Sequence, residues 1–238
     1  MFRKNLISIP NTMKNISLPI ITMSVELLAD IYDTHITTEL KLNNRKLSIF
    51  PSQICQFINL KELHLRGNHI TNIPTEISNL VNLRILALSY NNLISLPDTI
   101  VSLPKLKTLS LRNNNITSLP ESIGKLANLE HLSLDNNNLT SLPNSIGDLT
   151  NLRVLILTNN KLKSVPREIL KLKKYINIDV TSYEIDNLDP DYEFIMLTHL
   201  RNPITNLPIG LKEIWVSQVV DLDKIKVPIG FIFLYIKI

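Results

Sequence analysis

The stretch from Leu83 to Leu157 reads LRILALSYNNLISLPDTIVSL (83–103), LKTLSLRNNNITSLPESIGKL (106–126), LEHLSLDNNNLTSLPNSIGDL (129–149) and LRVLIL (152–157). Equivalent residues recur every 23 positions: Asn91, Asn114, Asn137 and Asn160 in one column, Pro97, Pro120, Pro143 and Pro166 in another. A fixed period in this range marks a solenoid, in which each unit buries its apolar face only against its neighbours. The frame of each unit is L-x-x-L-x-L-x-x-N-x-L.

Each column has a physical task. Leu86 and Leu88 alternate, so a strand sends both to one face, and stacked units turn that face inward and align their strands in one parallel sheet. Burying one more Leu or Ile stabilises by roughly 1.5–3 kcal/mol, against an ordering entropy of similar scale, so a single unit does not fold alone. The Asn column, which includes Asn68, falls where the chain turns out of the strand and leaves backbone groups without ladder partners. A buried amide side chain satisfies both donors and acceptors there and pairs with the next repeat; leaving such a group unsatisfied costs roughly 1–3 kcal/mol. The Pro column fixes φ where the chain starts its return along the opposite side.

Working outward, residues 3–16 (RKNLISIPNTMKNI) match residues 90–103 (YNNLISLPDTIVSL), so the chain opens on the second half of a repeat. Residues 17–36 break the period, and Val25, Leu28 and Ile31 have helical spacing. A capping helix over the first layer is the plain expectation; a truncated F-box-like adaptor motif is the alternative. Residues 1–36 are therefore set apart from a solenoid spanning 37–238. The solenoid is regular to about residue 172, with Arg45 where Asn is expected. The repeat from Tyr175 decays, with Tyr183 and Asp189 at the Asn and Pro positions, and the period then shortens: PIGLKEIWV (208–216) matches PIGFIFLYI (228–236) with a step of 20. The terminal FIFLYIKI is apolar and strand-like. An uncovered edge strand pairs with another chain unless it curls to protect itself, so self-association through this strand is one expectation.

Function is expected where the repeats differ, at strand positions that alternate with the buried leucines and point to the open face. His64, Arg66, Tyr90, Arg112, His131 and Asp135 lie there as a mixed polar patch, suited to an acidic segment of a protein partner or else a solvated sheet face. Trp215 and Tyr235 occupy equivalent positions of the last two units, as exposed binding anchors or as an end cap. Lys161, Lys163, Arg167, Lys171, Lys173 and Lys174 crowd one turn and read as a solvated charge run. His131 and Asp135 are four residues apart on a strand and its turn, with no nucleophile in a supporting motif, so hydrolysis is not expected. No phosphate loop, zinc spacing or catalytic motif is present, and neither metal nor cofactor is expected.

The segment LPESIGKLANLEHLSLDNNNLTSLPNSIGDLTNLRVL (119–155) closely resembles the Ras-group leucine-rich-repeat proteins, intracellular scaffolds with 23-residue repeats of the LPxxIGxL type. The resemblance covers about residues 37–172, while the shorter units near 200–238 look more like bacterial-effector repeats. It implies an α/β leucine-rich-repeat solenoid, with a curved parallel β-sheet on the concave side and short helical or irregular segments on the convex side. The implied function is a non-enzymatic scaffold that binds a protein on its concave face; a substrate-recognition adaptor in ubiquitination, or a host-interaction effector, is the alternative. Composition agrees with thin aliphatic layers, being 44% hydrophobic with 5% aromatics. A net charge of +4 is too small to imply nucleic acid. The single cysteine, Cys55, cannot close an internal disulfide, unlike the cysteine-bonded caps common in secreted members, and no apolar run is long enough to span a membrane, so a cytoplasmic protein is expected.

Overall fold

The computed structural model describes residues 34–162 and 166–172, together with the strands at 194–197, 213–217 and 233–237. The half-repeat at the N-terminus, nearly all of the expected capping helix and the decayed repeat from Tyr175 fall outside the described residues. In the repeats, each three-residue strand is followed by a turn, a proline and a short 3-10 segment. The strands are β1 (Glu39–Lys41), β2 (Glu62–His64), β3 (Ile85–Ala87), β4 (Thr108–Ser110), β5 (His131–Ser133) and β6 (Val154–Ile156). They form an open six-stranded parallel sheet in chain order, each residue paired with the one 23 further on: Leu40 beside Leu63, then Leu86, Leu109, Leu132 and Leu155. These central leucines are buried, and so are the next apolar residues along, Leu65, Leu88, Leu111, Leu134 and Leu157. Period two thus does what the sequence implies, and the sheet is the front wall of one continuous core.

The back wall is set by the prolines. Pro51, Pro74, Pro97, Pro143 and Pro166 stand immediately before 3-10 segments with φ between −65° and −70°. The carbonyls of these prolines, and of Pro120, each accept the amide of a buried Ile three residues on, from Ile54 to Ile169. A ring that presets φ for the turn and needs no N–H there explains the residue type. Gly124 and Gly147 follow two of these isoleucines, and a Cβ on either would run into the backbone carbonyl of Ser145 or Glu168 in the following repeat. The glycines of the IG pairs therefore let the back walls of successive repeats approach closely.

The Asn column holds the repeats together, in the direction opposite to the one expected. Asn114 Nδ2 donates to Leu111 O in its own repeat and to Leu88 O in the preceding one, while its Oδ1 accepts the amide of Leu93, also in the preceding repeat. The same triad recurs at Asn68, Asn91, Asn137 and Asn160, all buried. Each amide thus reaches backward rather than forward.

A second sheet contains β7 (Phe194–Leu197), β8 (Glu213–Ser217) and β9 (Phe233–Lys237), all parallel. Phe194 pairs with Glu213 and Trp215 with Tyr235, so the register steps are 19 and 20. The shortened period and the strand character of the C-terminal segment agree with the sequence, in which Asn202, Ile204, Leu207 and Pro208 follow β7 at the positions the repeat frame gives them.

Candidate functional site

The open face of the six-stranded sheet carries three rows. At the strand entries stand Glu39, Glu62, Ile85, Thr108, His131 and Val154; two residues on stand Lys41, His64, Ala87, Ser110, Ser133 and Ile156. Just past the strand ends come Asn43, Arg66, Ser89, Arg112, Asp135 and Thr158. Of the six residues chosen from the sequence on this sheet, His131 stands in the first row, His64 in the second and Arg66, Arg112 and Asp135 in the third, with Tyr90 one residue beyond the third.

Arg66, Tyr90, Arg112 and Asp135 do come together. The Arg66 guanidinium carbon lies 4.8 Å from the centroid of the Tyr90 ring, and that of Arg112, one repeat beyond Tyr90, lies at 5.9 Å. Both distances are within reach of cation–π attraction. Arg112 Nε then meets Asp135 Oδ2 at 3.1 Å. Asp135 corrects an expectation: it is not a displayed contact residue, because its side chain is only 7% exposed. It accepts from Ser133 Oγ at 2.8 Å and Asn136 Nδ2 at 3.1 Å, and Asn159 Nδ2 in turn donates to Asn136 Oδ1. A buried carboxylate needs such partners, and here they fix the position of Arg112.

Tyr90 reaches the arginines because its backbone is left-handed. The residue before each buried Asn has positive φ: Gly67 at 71°, Tyr90 at 59°, Asn113 at 52°, Asn136 at 56° and Asn159 at 52°, with Asn44 at 56° in the first repeat. Gly and Asn tolerate this region; for a bulky side chain it costs roughly 1–2 kcal/mol. Tyr90 bears that cost while remaining 41% exposed. The signal was present in the sequence as a column of asparagine and glycine with one tyrosine in it.

His64 belongs to a different environment. Its Nε2 lies 3.3 Å from Glu62 Oε2 and 3.8 Å from Glu39 Oε1, and Lys41 Nζ sits 2.7 Å from the same Glu39 oxygen. The hydrogen bond and charge of Glu39 raise the Lys41 pKa. Glu39, Glu62 and His64 are close enough to share a metal ion, a grouping the sequence search did not find, although the lysine competes for one carboxylate. His131 sits exposed at the entry of β5, four residues before Asp135 and in another row, so the two are not assembled as an acid–base pair. Beside it Glu130, held below the usual carboxylate range mainly by its hydrogen bond from Lys107, bridges Lys107 and Arg153 of the adjoining repeats. Trp215 and Tyr235 stand opposite each other in the register of β8 and β9. Of the basic run, Lys171 approaches Asp148 at 3.9 Å.

A second asparagine ladder also went unread. Asn59, Asn82, Asn128 and Asn151 each donate to the carbonyl 24 residues earlier, on the edge where the chain re-enters the sheet. Lys105 takes the place of Asn in the fourth repeat and donates to Asn82 Oδ1 at 2.7 Å. Among the described residues no helix is long and apolar enough to cross a membrane.

Comparison with known proteins agrees with this architecture. A family model described as a leucine-rich repeat region matches residues 17–137, just over half of the chain, and a second, leucine rich repeat, matches residues 128–149. Among solved structures, a leucine-rich-repeat protein of Leptospira interrogans is 29% identical with a TM-score of 0.52, over 76% of this chain and 60% of that one. An internalin from Listeria monocytogenes is 26% identical with a TM-score of 0.62, over 79% and 56%. The plant peptide hormone receptor RGFR1, solved in complex with RGF2, is 26% identical with a TM-score of 0.57, over 76% and 32%. The chain thus covers less than two thirds of each of these structures. No curated protein sequence matches it.

Proposed function

The chain belongs to the leucine-rich-repeat family, and from that premise we propose that it is a non-enzymatic scaffold that binds a protein partner on the open, concave face of its repeat sheet. The observation that carries this is Tyr90, a bulky exposed side chain held in left-handed backbone between two arginines. The fold does not require it, because the equivalent positions use Gly or Asn at no such cost. A rigid stack of repeats also presents its surface preformed, so little conformational entropy is lost on binding.

The Ras-group character of the repeats and a cytoplasmic setting belong to the same proposal. The LPxxIG units and the lone cysteine, buried as a free thiol, support them. We also retain Trp215 and Tyr235 as partner anchors, and β9 as an edge that a second copy can extend. Light scattering on the full chain tests the last point, since a monomer at all concentrations removes it.

The central test fills the middle of the open face. Ser110→Trp places a large side chain on β4 without touching the buried leucines. Circular dichroism should be unchanged, and partners captured from the native cell by the intact chain should be lost. Full retention of every partner by a folded Ser110→Trp protein would place binding elsewhere.

A further inference from the structure

We infer that Arg66, Tyr90 and Arg112 form a clamp for carboxylate side chains of one acidic, extended segment of a protein partner, with Asp135 as the positioning residue of the clamp. This rests on the scaffold proposal and adds to it the chemistry of the bound segment. The two arginines are not equivalent. Arg112 is offset by Asp135 and held through its Nε, which leaves the terminal nitrogens of its guanidinium as donors. Arg66 has no carboxylate partner among the described residues; its ring contact with Tyr90 orients it but does not cancel its charge. The cluster therefore carries one uncompensated positive charge, on a guanidinium whose planar fork matches a carboxylate.

Position supplies the direction of the segment. Arg66 and Arg112 hang from strands two steps apart in the sheet, roughly 10 Å at the usual strand spacing, with Tyr90 rising between them. An extended segment crossing the strand ends would span this distance in about three residues, placing one acidic side chain on Arg66 and a second near Arg112. The amides of Asn113 and Asn136 continue the same edge with neutral hydrogen-bonding groups. At the strand entries Glu39 and Glu62 face each other on β1 and β2, with Lys41 and His64 against them, so the arginines at the strand exits are the stronger attraction for an acidic segment.

The test uses the full chain and fluorescein-labelled hexaglutamate, with hexaserine and a hexapeptide bearing phosphoserines as further probes, read by fluorescence anisotropy. Hexaglutamate should bind, hexaserine should not, and raising salt should weaken the complex. Arg66→Glu should weaken it by about tenfold or more, and Tyr90→Asn by several-fold with no loss of thermal stability. Asp135→Asn keeps an acceptor for Arg112 while removing a negative charge, so it should tighten hexaglutamate binding at low salt and not at high salt. A merely structural Asp135 would not move affinity in that direction. Unchanged hexaglutamate affinity in both Arg66→Glu and Tyr90→Asn overturns the clamp, as does binding of the phosphoserine peptide alone. If Ser110→Trp abolishes partner capture while the clamp variants do not, the clamp fails and the scaffold stands. If neither affects capture, the scaffold proposal fails with it.

Discussion

Two asparagine columns run side by side through this molecule, and they do opposite things. Asn91, Asn114, Asn137 and Asn160 are buried, and each closes three hydrogen bonds, one within its own repeat and two to the repeat before. Their immediate predecessors, Asn113, Asn136 and Asn159, serve through their backbone, which is left-handed, and their side chains lie at the surface or its margin. The inner column is fixed by the donors and acceptors it must satisfy. The requirement common to the whole outer column is tolerance of positive φ, a weaker one, although Asn136 and Asn159 also bond through their side chains, and there the sequence departs to glycine and tyrosine. The difference shows where such a fold can acquire function: at positions constrained by conformation alone, a residue can be exchanged at a cost of about a kcal/mol rather than several.

The largest effect should come from breaking the inner column. Asn114→Leu keeps the branched shape but leaves the Leu93 amide without a partner and takes one of two donors from each of Leu88 O and Leu111 O, which keep Asn91 Nδ2 and Asn137 Nδ2; at roughly 1–3 kcal/mol for the orphaned amide and less for each weakened carbonyl, the loss should be about 3 kcal/mol in urea unfolding. Asn113→Gly, one residue away, should change stability by less than about 1 kcal/mol, since glycine accepts the same φ. Cys55 offers an independent measurement. Burial pushes its thiol up to about 12 from 9.0. It should therefore resist thiol reagents in the folded protein and react faster in Asn114→Leu than in Asn113→Gly. A group held protonated by folding contributes fully below the unfolded value, so stability should also decline as pH rises above about 9 toward 12.

The third column, Asn59, Asn82, Asn128 and Asn151, is exposed or half-exposed and makes one bond per residue to the preceding repeat. Asn128→Ala should cost about 1 kcal/mol, measured by the same unfolding, because the freed Pro104 carbonyl can turn to water. A loss as large as that of Asn114→Leu would mean that burial is not what separates the columns. This ladder was legible in the recurring Asn-Leu pairs, as were the Leu, Asn and Pro columns, the parallel strands and the step of 20 near the C-terminus. Periodicity encodes these because each repeat poses the same problem to its neighbour. The site was less legible. Strand rows could be assigned from the sequence, but which side chains would reach across them could not: His64 turned to Glu39 and Glu62, while Tyr90 reached Arg66 from a backbone conformation that its residue type does not announce. Asp135 misled because a charged residue suggests solvent, whereas three neighbours satisfy it under cover.

The smallest effect is the one that separates strain from attraction at Tyr90. Tyr90→Asn relieves a left-handed tyrosine, a gain of roughly 1–2 kcal/mol, and removes its contacts with two arginines, a loss of about 0.5–1 kcal/mol each at an exposed site. In the parent chain these nearly cancel, and the net change should lie within about 1 kcal/mol of zero. Repeating the substitution with Arg66→Ala and Arg112→Ala already present removes the attractive side. There Tyr90→Asn should stabilise the protein by about 1 kcal/mol, and the difference between the two backgrounds is the coupling energy of the ring with its arginines. Equal changes in both backgrounds would show that the ring and guanidinium groups are neighbours without attraction. A stabilising change of the predicted size would show that the fold alone favours asparagine at position 90, so that the tyrosine is held against the stability of the repeat and its exposed ring serves something other than folding.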